Sequence, residues 1–246
     1  MGKSLVLTQV QVLTPSTHAD REDSHFGHSV AVHGGTIAVG EPGRDLARKG
    51  GATIFARAGD AWVEQAQIAP ADLRADDEFG SVVAVQGDTA LVSAPRRRVG
   101  HVRNAGTVWV YVRKGGAWKE QARLTSPTAK SGEPFGHGLA IQGDEAFVGD
   151  DEGVRAYRRQ GKTWSLTATV TGPGASIVSV HGDTLVFNQG RDLLVFTRTG
   201  AGWTKQQTLS LPVEPEPFAN ATPRALAFGG QTIVAGVPNA QFDVEV

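Results

Sequence analysis

Carboxylates in one predicted loop are the residues best suited to acid–base chemistry. Asp150, Asp151 and Glu152 stand together, and glycosidases pair such groups across a cleft. Their partner would be Glu41, which we expect at the equivalent loop position two repeats earlier. The same stretch also has the composition of an ordinary polar turn. We favour the turn, so catalysis is the alternative and no catalytic residue is assigned.

The strongest cluster of positive charge follows Pro95. Its members are Arg96, Arg97, Arg98, His101 and Arg103. Guanidinium groups could clamp phosphate, sulfate or carboxylate, because their planar fork matches planar anions. The alternative, which we favour, is a solvated loop whose arginines pair with nearby carboxylates at Asp72, Asp76, Asp77 and Glu78. Nucleic acid is not expected as a partner, because no aromatic residue interleaves the cluster.

Two histidines follow a Phe-Gly pair, at His28 and His137. Imidazoles on one face could hold a metal or act as acid and base. They could instead line a central channel, and this is the interpretation that we favour. His18 and His25 flank two aspartates in a metal-compatible mixture, but no second copy of this pattern occurs. We therefore predict no metal and no other cofactor.

Composition narrows the class of protein. The chain has 246 residues, no cysteine and a net charge of -1, so no strong field favours nucleic acid or an anionic membrane. Apolar runs are too short for membrane insertion or a signal peptide. We expect a protein that either stays inside the cell or has lost a leader, and the compartment stays unassigned. The 31 glycines, spread among short Val, Ile and Thr runs, indicate an all-β fold.

Repeats organise the chain. Phe-Gly pairs begin at Phe26, Phe79 and Phe135, and a glycine opens a turn eight residues after each Phe. A second marker is a tryptophan six residues before an aliphatic residue, at Trp62, Trp118, Trp164 and Trp203. An aromatic-x-Arg strand lies between the two markers. The pattern therefore predicts four strands in each unit, and the units recur at about the spacing of propeller blades.

These units predict a five-bladed β-propeller of four-stranded antiparallel blades in a single domain. The blades span about 24–70, 77–126, 133–172, 175–211, and 222–246 together with 4–13. The fifth unit lacks a fourth strand, and residues 6–12 have the spacing to supply it. The N-terminal strand would then close the ring and remove exposed sheet edges.

Three segments carry a family resemblance. They are FGHSVAVHGGTIAVGEP from Phe26, FGSVVAVQGDTALVSAP from Phe79 and FGHGLAIQGDEAFVGD from Phe135. The chain resembles FG-GAP repeat proteins, including the propellers of integrin α-subunits, and looks closest to bacterial members with a W-x-x-Q-x-x-L element. The resemblance implies a secreted or surface protein that binds proteins or glycans. The calcium loop of integrin blades is not carried over, because the corresponding turn here is only two residues long.

The longer loops are all expected on one face, which is the candidate ligand surface. Its residues are His28, Glu41, Arg44, Asp45, Arg96, Arg98, His101, Arg103, His137, Asp150, Asp151, Asn188 and Arg191. Long loops at 41–51 and 95–106 beside short ones predict a cleft. We predict a monomeric, non-catalytic module that binds a protein or carbohydrate. The alternatives are a glycoside hydrolase or lyase, and an interaction domain of a larger surface protein.

Overall fold

The computed structural model describes residues 11–16, 25–43, 49–200, 202–211, 222–229 and 232–237. These residues form eighteen strands and no helix. All strand pairs within the sheets are antiparallel, and each sheet follows chain order. Among the described residues, no helix is long and apolar enough to cross a membrane. The all-β prediction is confirmed.

Four sheets have four strands each. The first contains β1 (Ser29–His33), β2 (Thr36–Glu41), β3 (Gly51–Ala58) and β4 (Ala61–Ile68). The second contains β5 (Val83–Gln86), β6 (Thr89–Ala94), β7 (Thr107–Lys114) and β8 (Ala117–Leu124). The third contains β9 (Gly138–Gln142), β10 (Glu145–Asp150), β11 (Gly153–Gln160) and β12 (Thr163–Thr171). The fourth contains β13 (Val178–His181), β14 (Thr184–Gln189), β15 (Asp192–Thr199) and β16 (Gly202–Leu209).

The fifth sheet has two strands among the described residues. They are β17 (Ala225–Gly229) and β18 (Thr232–Gly236). The third strand predicted for this unit, at 241–246, lies outside the described residues. So does most of the predicted N-terminal strand, since the description begins at residue 11.

Two-residue turns join the first two strands of the first four sheets, as the repeated Gly-Asp and Gly-Gly pairs predict. The opening glycine is left-handed in each, with φ of +56° at Gly34, +55° at Gly87, +59° at Gly143 and +57° at Gly182. Glycine adopts this conformation without steric cost, so it fixes both the turn and the strand register. At the opposite edge, the connections after β4, β8 and β12 and those after β2 and β6 are longer, whereas two-residue connections, 151–152 and 190–191, join β10 to β11 and β14 to β15. We call that edge the loop-rich face.

The Phe-Gly pair lies at the contact between neighbouring sheets. Gly80 has φ of +94°, and a Cβ atom there would approach the Gly51 carbonyl oxygen to 2.0 Å. Phe79 is fully buried and meets Trp109 edge to face, with ring centroids 5.1 Å apart. The Phe-Gly motif therefore marks the point where the chain that leads into one sheet packs against the previous sheet.

The core lies between successive sheets. Val83 and Val85 of the second sheet pack against Ala38 and Ile54 of the first. Equivalent contacts join the second sheet to the third, the third to the fourth and the fourth to the fifth. Burial of one such aliphatic side chain contributes about 1.5–3 kcal/mol, so each interface stabilises both of its sheets.

Tryptophans and glutamines add polar bonds to these interfaces. Trp118 Nε1 donates to Gln65 Oε1 of the previous sheet over 2.8 Å, and Trp164 Nε1 donates to Gln121 Oε1 over 2.9 Å. In the second, third and fourth sheets, the arginine of the aromatic-x-Arg strand stacks on the tryptophan of its own sheet, with Arg113 5.3 Å from the Trp118 ring centroid. The tryptophans thus belong to the framework, as their repeat register indicates.

The first and last sheets each leave one apolar face uncovered by the described residues. Val30 and Val32 of β1 are 60% and 65% exposed, although their counterparts Val83 and Val85 are 5% and 7% exposed. Val234 of β18 is 51% exposed, whereas its counterparts in the other sheets, such as Leu91 of β6, are fully buried. A closed ring is therefore not shown by the described residues.

Candidate functional site

A cavity of about 760 Å³ lies where the innermost strands of all five sheets begin. One lining residue from each sheet is His28, Ser81, His137, Ser176 and Thr222. The first strand of each sheet starts beside the end of the second, so the cavity mouth opens toward the loop-rich face. We call it the central cavity. Its lining brings together His28 and His137, the two histidines that the sequence places on one face.

The electrostatics of the cavity mouth distinguish His137 from an ordinary surface histidine. The pKa of His137 is lowered, chiefly because the surrounding chain leaves its charged form poorly hydrated, although Asp151 and Glu78 act in the opposite direction. Poor hydration likewise raises the pKa of Asp151, while His137 partly offsets the shift. A neutral imidazole that lines the cavity and a carboxylate near it can donate to and accept from a polar ligand.

Two predicted site carboxylates are buried and do not line the central cavity. Asp150 accepts from Arg155 Nε over 2.8 Å, and both side chains are almost fully buried. Glu41 is also buried. Asp150 further accepts from the Glu152 amide over 2.9 Å, so the carboxylate braces its own turn. The arrangement matches the polar turn favoured from the sequence.

Asn188 stands one residue before the strand position of Glu41 and Asp150, and it is buried as well. Its Oδ1 accepts from the amides of Ser176 and Ile177 over 2.9 and 3.0 Å. The side chain therefore holds the loop that enters the fourth sheet. Arg191 Nη2 donates to the Leu211 carbonyl over 3.2 Å, which links two further loops.

The positively charged loop divides into anchored and open arginines. Arg97 pairs with Asp77 and with Asp72, each over 2.7 Å, and its guanidinium lies 5.1 Å from the Trp109 ring centroid. Arg96 pairs with Glu78 over 3.3 Å. The expected pairing with carboxylates is therefore observed for these two arginines.

A second cavity of about 430 Å³ lies beside this loop, and we call it the arginine cavity. Its lining includes Arg74, Arg96, Arg98 and Arg103. Arg74 was missed by sequence reasoning, because it stands in a different loop and no motif marks it. His101 is exposed but does not line this cavity. Arg44 and Asp45 lie outside the described residues.

Metal ligation finds no support among the described ranges. No group of three or more His, Asp or Glu side chains is placed to hold an ion there. His25 is within these ranges, whereas His18 is outside them.

Comparison with protein families matches two segments of the chain, residues 7–55 and 62–111, to the FG-GAP repeat. The matched ranges contain the segments from Phe26 and Phe79, so the resemblance read from these two segments is confirmed. No curated protein matches the chain. FG-GAP repeats generally form ligand-binding or interaction modules, and the family suggests a propeller architecture.

Proposed function

Because the chain carries FG-GAP repeats, we propose that it is a non-catalytic binding module for a protein or glycan. The ligand surface is the loop-rich face around the central cavity. One observation carries the proposal: residues from all five sheets converge on a single cavity at that face. Its volume, about 760 Å³, is within the usual range of ligand pockets.

The frame beneath this surface supports binding without rearrangement. Inter-sheet bonds such as Trp118 to Gln65 fix neighbouring sheets, and Asn188 fixes a loop at the cavity rim. A ligand that meets a surface already in its bound shape loses less free energy to ordering. Loops on a rigid scaffold are also where binding residues concentrate.

The same proposal includes a closed, monomeric five-bladed ring in one domain spanning 1–246. Support comes from the two uncovered faces. Val30 and Val32 occupy positions that, in the later sheets, pack against the preceding sheet. Val234 occupies a position that, in the earlier sheets, packs against the following sheet. The two faces are therefore complementary by repeat position, and closure would bury both.

The described end of the N-terminal segment supports its role as the closing strand. Gln11 Nε2 donates to the Trp62 carbonyl over 2.8 Å, and the Trp62 amide donates to Gln11 Oε1 over the same distance. Ser16 Oγ donates to Glu64 over 2.8 Å. This segment thus lies against β4, as the residues after β4 lie against β8 through the pairing of Asp72 with Arg123.

One observation favours the alternative function, a glycoside hydrolase or lyase. The pKa of His137, which lines the central cavity, is lowered and that of the neighbouring Asp151 is raised, and shifted pairs of this kind are common in active sites. Burial of Asp150 and Glu41 weighs against the specific carboxylate pair considered from the sequence. Turnover of a bound glycan that Asp151→Asn abolishes would establish the enzyme.

The test is a binding screen of the whole chain against a glycan panel and by affinity capture of proteins. His137→Trp would crowd the cavity mouth, and we expect it to weaken binding of the ligand found by at least tenfold. His181→Trp is the matched control, because His181 is an exposed residue at a two-residue turn on the opposite face. Loss of binding in the control alone, or a screen that retains nothing, would contradict the proposal.

A further inference from the structure

We propose that the arginine cavity binds the carboxylate or sulfate groups of an anionic glycan. This inference rests on the proposed binding function and names the chemical class of its ligand. The cavity lies on the loop-rich face, between the loop that enters the second sheet and the loop that joins β6 to β7.

Its lining carries a surplus of positive charge. Four arginines line it, together with two carboxylates, Asp76 and Asp77, and the amide side chain of Asn104. One of those carboxylates is already committed, because Asp77 accepts from Arg97 over 2.7 Å and from the Arg74 amide over 3.0 Å. Asp76 is therefore the main internal counter-charge.

Three of the arginines have guanidinium groups available to a ligand. Arg96 is paired with Glu78. The guanidinium groups of Arg74, Arg98 and Arg103 make no hydrogen bond or ion pair with any residue in the described ranges, and all three side chains are exposed. Each presents five N–H donors in a planar fork, which suits a carboxylate or sulfate better than a point charge would.

The loop that presents Arg98 and Arg103 is held in shape. Val99 and Val102 exchange two backbone hydrogen bonds of 3.0 Å across the turn, and the Ala105 and Gly106 amides donate to the Arg97 carbonyl. Arg97 itself is fixed by two carboxylates and by the Trp109 ring. Anchoring one arginine of the loop leaves its neighbours pre-positioned, which lowers the entropy cost of binding.

The lining also discriminates between classes of ligand. No aromatic side chain lines the arginine cavity among the described residues, so stacking of nucleic-acid bases has no platform there. No apolar side chain from that part of the chain lines it either, whereas protein interfaces usually centre on apolar or aromatic anchors. A cavity of about 430 Å³ with several separated donors suits a sugar unit that carries charged substituents.

Isothermal titration calorimetry of the whole chain tests the inference with four probes. They are sucrose octasulfate, digalacturonate, uncharged sucrose and a hexaglutamate peptide. The variant is Arg98→Gln/Arg103→Gln, and its matched control is Lys114→Gln/Lys119→Gln. The control removes the same charge from exposed positions of the same sheet, at the edge away from the cavity.

We expect wild type and control to bind an anionic sugar and not sucrose. The arginine variant should bind it about tenfold more weakly for each charge-assisted hydrogen bond that the substitutions remove. Equal weakening in both variants would show that the sugar is attracted by overall positive charge alone, which would overturn the inference. Binding of hexaglutamate as tight as that of the sugars, with the same sensitivity to the variant, would assign the cavity to an acidic protein segment instead.

The outcome separates this inference from the function beneath it. If no anionic probe binds, the arginine cavity has no such role, while the glycan panel and affinity capture still judge the module as a binder. If His137→Trp abolishes binding of a ligand that Arg98→Gln/Arg103→Gln leaves unchanged, the proposed function stands and the inference fails.

Discussion

Val32 offers a direct test of ring closure. Its side chain is 65% exposed among the described residues, while its counterpart Val85 is 7% exposed and packs on the preceding sheet. If the last sheet closes onto the first, Val32 becomes a core residue like Val85. If the ring stays open, Val32 is an ordinary surface residue.

The magnitude follows from the size of the change. Val32→Ala removes two carbon atoms, and about 0.8 kcal/mol per buried carbon predicts a loss of about 1.6 kcal/mol, with a further contribution from the void that remains. At a surface position the loss should stay within about 0.5 kcal/mol. Val63 of β4 is 52% exposed, so Val63→Ala also corrects for the lower strand preference of alanine.

The assay is equilibrium unfolding in urea, with the free energy of unfolding extrapolated to water. Closure predicts that Val32→Ala loses about as much stability as Val85→Ala, and about 1.5 kcal/mol more than Val63→Ala. An unchanged dependence on urea concentration would confirm that the unfolded state is the same. Equal losses for Val32→Ala and Val63→Ala would refute closure through this face.

Three further substitutions probe the framework. Gln65→Leu removes the acceptor of the Trp118 indole N–H and should cost about 1 kcal/mol in the free energy of unfolding measured in urea. Asp150→Ala removes the buried carboxylate that pairs with Arg155 Nε, although Glu152 still pairs with Nη2, and it should cost about 3 kcal/mol in the same assay. Hydrogen bonds from a lysine and an arginine lower the pKa of Glu152 to about 2. Because this pKa lies below the usual 4.5, the ionised Glu152 carboxylate stabilises the folded state above pH 4.5. This contribution is lost as the pH falls toward 2. As the pH falls across this range, the midpoint temperature of thermal unfolding should decrease less for Glu152→Gln than for the wild-type protein.

The first two of these substitutions have a control at an exposed site. Gln206 stands at the position of Gln65 in the fourth sheet but is exposed and bonds to the Thr204 carbonyl of its own strand, so Gln206→Leu should have little effect. Asp144 pairs with Arg159 at an exposed turn, and Asp144→Ala should cost below about 1 kcal/mol. Losses as large as those of the buried positions would contradict the framework described for the interfaces.

Local signals explain why the strands could be predicted from the sequence. The two-residue turns need glycine at a left-handed position, as at Gly87, and the Phe-Gly pair needs a residue without a side chain beside a carbonyl, as at Gly80. These demands act within a few residues, so they leave a readable pattern. The grouping of His28 with His137 was also accessible, because repeat position places both at the start of an innermost strand.

The polar site residues were harder to predict because burial depends on the neighbouring loop. Asp150 and Asn188 read as exposed loop residues, yet both are buried near the end of a strand. The Asp150 carbonyl accepts from Ala175 in the chain that enters the next sheet, and Asn188 accepts from Ser176 and Ile177 in the chain that enters its own sheet. Arg74 and Arg98 meet at one cavity from different loops, and no spacing in the sequence records that approach. Sequence position alone therefore distinguishes buried framework residues from surface residues less well at the ends of strands than within them.

The uncovered faces of the first and last sheets also have a kinetic consequence. Every other interface joins sheets that are neighbours along the chain, whereas contact between Val32 and Val234 would span about two hundred residues. Contacts this distant in sequence form slowly, so in a closing ring the interfaces between consecutive sheets would form first and this one last. Until it forms, two apolar faces remain available to other chains, and we expect aggregation during refolding to rise with protein concentration.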